Sequence, residues 1–218
     1  MARCAAVGVS RVVVPAVRRS GWPRLRALAA EFGWTWAIGT HPHALVAEPF
    51  VPDAPNGAQA IGECGLDGGV PVAMEEQERI LSGHLALAHE AGLPVILHCW
   101  RAHHRLLPLL RRFGTTRGVL HSYSGGEQLV RDYVSAGLYL SFSGVICRSE
   151  ARRPHAALRA VPRERLLLET DAPDQAPGGG RNEPNRVINV LRAAEVVRGE
   201  PLESVVVQNA RDLGLMAG

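Results

Sequence analysis

Short apolar runs recur along the chain, each ending in Gly or a polar residue. They cover residues 11–15 (RVVVP), 34–39 (WTWAIG), 59–63 (QAIGE), 94–98 (PVILH), 118–121 (GVLH), 138–141 (LYLS) and 165–169 (RLLLE). The runs are apolar nearly throughout rather than alternating, which is how parallel strands buried on both faces read. Helical patterns lie between most of them, at residues 23–31, 74–91, 102–113, 127–136, 151–161 and 183–198, with a last helix near 202–213. Gly92 and Gly137 stand where helix C-caps belong, and Pro94 blocks further helix. Residues 45–58 are Pro-rich and read as an irregular connection. Residues 174–182, rich in Gly and Pro, read as a surface loop.

Alternating β and α units predict a parallel sheet, here a TIM-type (β/α) barrel forming one domain over residues 1–218. Such barrels have eight strands in about 250 residues, and the pattern supplies seven strands in 218 residues. Residues 2–7 read as the end of a helix, so the expected absentee is the first βα unit.

Catalytic groups of such barrels sit at the C-terminal ends of the strands. Those ends carry His41 and His43 in GTHPH, Glu63 in IGECGLDG, His98 in ILHC, His121 in VLHSYSG and Asp171 in LLLETDAP. One strand-end histidine is ordinarily a loop or core residue. Four such residues ending four strands of one barrel point instead to a divalent metal site with nitrogen and oxygen ligands. The remaining histidines, His84, His89, His103, His104 and His155, fall on helical patterns and read as surface residues.

Composition changes this picture little. The chain is 46% hydrophobic and 21% charged, with a formal net charge of +3, so no strong nucleic-acid field follows. All 24 basic residues are Arg, a side chain whose fork suits phosphate. Cys4, Cys64, Cys99 and Cys147 form no C-x-x-C pair, which predicts a reduced, cytoplasmic protein without a disulfide framework. No apolar run reaches membrane-spanning length and no signal-peptide pattern is evident, so no membrane partner is expected.

The blocks GTHPH, IGECGLD, LPVILHC, GVLHSYSG, LLLETDAP and RNEPN, in this order from about residue 6 to about residue 213, resemble the signature blocks of the TatD family of metal-dependent hydrolases. The resemblance implies a two-metal deoxyribonuclease, with DNA as substrate and no obligate protein partner. Mg²⁺ is the leading metal, with Mn²⁺ and Zn²⁺ as alternatives. It implies that Glu63 bridges the two ions and that His98 and His121 bind the second. Asp171 would bind the first and handle the proton of the attacking water. Asp67, Arg181, Asn182 and Glu183 would support the site or position substrate, and His41 would contact the scissile group.

The family opens with an H-x-H pair at its first strand. Here the only H-x-H is His41–His43, in a later block. The missing pair coincides with the missing strand and leaves the first metal with only Glu63 and Asp171. Two explanations are expected: a native start upstream of Met1, or a paralogue with little activity. Competing functional readings are a metal-dependent ester or amide hydrolase, such as an aminoacyl-tRNA deacylase, and a barrel retained for binding.

Overall fold

The computed structural model describes residues 2–52 and 54–216. Seven parallel strands form one sheet in chain order: β1 (Val13–Pro15), β2 (Thr35–Ile38), β3 (Ala60–Asp67), β4 (Val95–Trp100), β5 (Gly118–Leu120), β6 (Leu138–Phe142) and β7 (Leu166–Leu168). Each strand pairs with the next, so the sheet curls as an open barrel with β1 and β7 at its edges. Eight helices accompany it: α1 (Ala2–Ala5), α2 (Trp22–Phe32), α3 (Met74–Ala91), α4 (His103–Phe113), α5 (Val130–Ser135), α6 (Arg152–Ala160), α7 (Val187–Arg198) and α8 (Glu203–Leu213). None of the described helices is long and apolar enough to cross a membrane.

The pleat sorts the apolar runs into two cores. Trp36, Ile38, Leu97, Cys99, Leu138, Leu140 and Leu166 face the helices. Their neighbours Ala37, Ala60, Ile96, Val119, Tyr139 and Leu167, one from each of β2–β7, meet inside the barrel. Side chains alternate across a strand, so runs apolar at every position are what a sheet covered on both faces requires. Leu213 and Leu215 join the inner cluster, and Leu215 is tied to the foot of β2 by a 2.8 Å bond from Thr35 Oγ1 to its carbonyl. With the floor filled by side chains, the opposite mouth is left for chemistry.

Several expectations need correction. β3 does not end at Glu63 but runs on to Asp67, with all eight residues buried. Gly62 and Gly65 make this close pairing with β4 possible. A Cβ at Gly62 would lie 2.5 Å from the Ile96 carbonyl, and one at Gly65 would run into the His98 carbonyl. The register shifts between Gly62 and Cys64. The helix expected at 127–136 opens as a 3₁₀ turn over Glu127–Leu129, and the one expected at 183–198 opens as a 3₁₀ turn over Pro184–Arg186.

His84 is not a surface residue. It is 0% exposed, and His103 and His155 are partly buried, while His89 and His104 are exposed as expected. The reason lies in helical spacing. His84 stands four residues after Ile80, three after Leu81, three before Leu87 and four before Ala88, all on the core face of α3. Its Nδ1–H donates to the Ile80 carbonyl at 2.8 Å, and its Nε2 accepts from the Thr40 N–H at 3.1 Å. Burial pushes its pKa down to about 4, against partial opposition from the Ile80 bond.

That burial sets a pH dependence. Between about pH 6.5 and pH 4 the unfolded chain binds a proton that folded His84 refuses. Its contribution is therefore complete above about pH 6.5 and is lost as the pH falls towards 4. Replacing His84 with Leu should cost about 1–3 kcal/mol at neutral pH by orphaning the Thr40 N–H. The same change should flatten the fall in stability across this window. Urea melts at a series of pH values check both, and an unchanged slope in His84→Leu would be the contrary result.

Candidate metal centre

The pleat that builds the floor also builds the mouth. Two residues beyond Ile96 on β4 stands His98, and two beyond Val119 of β5 stands His121. Two and four beyond Leu167 stand Glu169 and Asp171; four beyond Ala37 stands His41. Four of the six inner strand residues, Ala37, Ile96, Val119 and Leu167, are thus followed two or four positions on by a ligand-type side chain. Glu63 reaches the same mouth from β3, beyond the register shift.

The three histidines converge on one carboxylate oxygen. Glu63 Oε1 lies 3.2 Å from His41 Nε2, 3.4 Å from His98 Nδ1 and 2.5 Å from His121 Nε2. His98 Nδ1 and His121 Nε2 are themselves 3.4 Å apart. Ligand atoms about 2.1 Å from a tetrahedral ion are separated by roughly 3.4 Å, which the His41–Glu63, His98–Glu63 and His98–His121 spacings match, while the 2.5 Å His121–Glu63 contact is a hydrogen bond. Two three-residue groups have ligand atoms all within 4.8 Å of one another: His41, Glu63 and His98, and His121, Glu169 and Asp171.

The surrounding shell orients the imidazoles. Asp67 Oδ2 accepts from His98 Nε2 at 2.9 Å and from His43 Nε2 at 3.2 Å. With Nε2 held by Asp67, Nδ1 is the nitrogen of His98 turned towards Glu63 and, once unprotonated, the one free to bind a metal. Gln77 on α3 clamps Asp67 in turn: its Oε1 accepts from the Asp67 N–H at 2.7 Å, and its Nε2 donates to the Asp67 carbonyl at 3.0 Å. On the far side, Glu169 Oε1 lies 3.3 Å from His121 Nδ1 and accepts from the Ser122 N–H at 2.7 Å. Gln175 donates to both Asp171 Oδ2 and Ser122 Oγ, and accepts from Ser143 Oγ at 2.6 Å.

Charge follows from this packing. Burial alone would raise the Glu63 pKa, but His121, His41 and His98 outweigh it and hold the carboxyl well below its usual range. Burial would lower His121, yet Glu63 and Glu169 on its two nitrogens hold it well above an ordinary imidazole. His41 is lowered by burial, against the pull of Glu63. Asp171 is raised to about 6 by burial, with Glu169 and Glu63 adding to the rise and His121 opposing it. The mouth thus pairs carboxylates with imidazoles in a partly dry setting, where a divalent cation can replace the shared proton.

Of the four residues expected to form one set, Glu63, His98 and His121 lie within hydrogen-bond reach of one another, while Asp171 falls in a second group with His121 and Glu169. His41 is closer to the centre than its expected contact with the scissile group implied, since it shares Glu63 with His98. Asn182 is only 2% exposed. Its amide donates to the Thr170 and Asp174 carbonyls at 2.7 and 2.8 Å, so it shapes the loop that carries Asp171 instead of presenting itself to substrate. Arg181 is exposed beside it, and Glu183 pairs with Arg3 at 2.6 Å. Glu169 and Gln175 join the site although the strand-end blocks do not single them out. The step of two from the inner Leu167 would have found Glu169; Gln175, on an irregular loop, left no such mark.

A curled parallel sheet with ligand-type side chains at its mouth defines a TIM-barrel-like metal-dependent hydrolase. The chain belongs to the TatD family: the profile described as TatD related DNase matches residues 1–213. It is 34% identical over 218 residues to the uncharacterized metal-dependent hydrolase YjjV of Escherichia coli K12, covering 93% of this chain and 84% of that protein. It is 36% identical over 246 residues to the 3'-5' ssDNA/RNA exonuclease TatD of Cronobacter sakazakii, covering 99% and 90%. Its fold matches the crystal structure of YjjV with a TM-score of 0.89 at 30% identity, over 97% of this chain and 89% of that one.

The cluster makes metal uptake measurable without any substrate. Saturating Mn²⁺ or Zn²⁺ at about 100 times Kd should stabilise the fold by roughly 2.7 kcal/mol. Thermal melts before and after chelation read that shift. Glu63→Gln should abolish most of it, and a variant with the full metal-induced shift would contradict a centre built on Glu63.

Proposed function

We propose that the chain hydrolyses phosphodiester bonds, with single-stranded DNA as its substrate class and divalent cations at the mouth of the barrel. The observation that carries this reading is the single oxygen of Glu63 lying within 3.4 Å of nitrogens from three histidines on three different segments. The single-stranded DNA and RNA exonuclease activity for which its TatD relatives are named supports the choice of substrate.

Glu63 would link two ligand sets, one with His98 and His121 and the other completed by Asp171, with His41 as a further ligand in place of the H-x-H pair the family carries. Imidazoles mixed with carboxylates suit Mn²⁺ or Zn²⁺ better than Mg²⁺. A divalent cation in such a site polarises a phosphoryl oxygen and brings the pKa of water towards neutrality. Asp171 would accept the proton of the attacking water, held in place by Gln175. Asp67 would keep the His98 ring aimed at the centre, and exposed Arg181 would meet a substrate phosphate. The free cysteines Cys4, Cys64 and Cys99 are buried, and Cys147 is partly buried, which fits a reducing, cytoplasmic setting.

Fold and metal do not choose the leaving group, so the test includes other esters. Single-stranded DNA should be cut faster than RNA, aminoacyl-tRNA or small carboxylic esters. Asp171→Asn should lower the rate about 10²–10⁴-fold while the melting temperature holds. Cleavage at the parental rate by this variant, or a preference for the carboxylic esters, would remove the basis for the assignment.

A further inference from the structure

One large apolar side chain at the mouth has no part in the metal cluster. Trp100 closes β4 and is 45% exposed. Ile96, His98 and Trp100 alternate along one face of that strand: Ile96 in the inner floor, His98 beside Glu63, Trp100 at the rim. Two residues of strand rise place Trp100 about 7 Å beyond His98 along the strand.

Its backbone is fixed. Trp100 stands in register with Asp67, and its carbonyl accepts from the Gly68 N–H at 2.8 Å. Gly68 and Gly69 bring no side chain to the indole. A Cβ at Gly69 would lie 3.7 Å from the ring Cδ1 and 3.9 Å from Nε1, so the neighbouring turn keeps the ring's surroundings bare. The Arg101 guanidinium lies 5.6 Å from the ring centroid. The outcome is a supported, partly uncovered aromatic surface with a cation over one face, one short step from the metal cluster.

We infer that Trp100 is a stacking platform for an unpaired nucleobase next to the scissile phosphodiester, with Arg101 placed to meet the adjoining phosphate. This rests on the phosphodiesterase reading and adds the part of the substrate that the metal centre leaves unrecognised. Base–aromatic stacking tolerates any base and requires that base to be out of a duplex. An arginine beside the ring matches the alternation of planar base and anionic phosphate along a single strand. The platform therefore selects single-stranded over double-stranded substrate without reading sequence.

Binding can be read by fluorescence anisotropy in the Asp171→Asn background, which keeps the probe intact. The probes are a labelled oligothymidylate and an oligonucleotide of the same length made of abasic residues. Trp100→Ala should raise the Kd for oligothymidylate about tenfold and leave the abasic probe unaffected. Trp100→Phe should recover most of the binding. Trp100→Leu, which keeps apolar bulk without a ring, should behave like Trp100→Ala and guards against a folding defect. Equal losses on both probes, or no loss on either, would overturn the platform. Cleavage by the native chain separates the two readings. An oligonucleotide held through Trp100 but never cut defeats the phosphodiesterase reading alone, whereas cutting with an unchanged Kd in Trp100→Ala defeats the platform alone.

Discussion

A carboxylate buried among imidazoles is the constraint on which the mouth of this barrel depends. Glu63 is only 9% exposed, and an ionised carboxylate there is tolerable only because three histidines face it. Those histidines come from the ends of three separate strands, so the sheet must hold the four groups together before any cation arrives. The same arrangement of a carboxylate among imidazoles suits a divalent ion.

Helix α3 does much of that holding. Gln77 clamps the backbone of Asp67, which orients His98, and His84 accepts from the N–H of Thr40, the residue before His41. Two buried polar side chains on one helix thus brace both flanks of Glu63. A helix that packs on β3 and carries only apolar residues on that face would fill the core equally well but leave the flanking segments unanchored. Buried polar groups persist where their hydrogen-bond partners are complete, and here those partners are the segments that aim the ligands.

The mouth also divides its labour by depth. The lowest layer is apolar and belongs to the fold, the next holds imidazoles and carboxylates, and the rim carries Trp100 and Arg101. Strand pleating produces this order directly, since successive residues on one face rise from floor to solvent. On the proposed reading, recognition of a polyanionic, aromatic chain at the rim and bond cleavage below it would share a single strand, β4.

Much of this was legible in the order of residues. Unbroken apolar runs separated by helical patterns determined a parallel α/β sheet, because only strands covered on both faces lack a polar side. Strand-end placement marked Glu63, His98, His121 and Asp171, because the mouth lies at the C-terminal ends. Helical spacing puts His84 on the core face of α3, and the step of two from Leu167 points at Glu169, so both positions are encoded in the sequence. Only the tertiary structure decided that His41 shares Glu63 with His98, that Gln175 reaches Asp171, and that Asn182 turns inward to shape a loop. These contacts join irregular segments distant in the chain, where no periodicity operates, so the curl of the sheet and the path of each loop alone determine who meets whom.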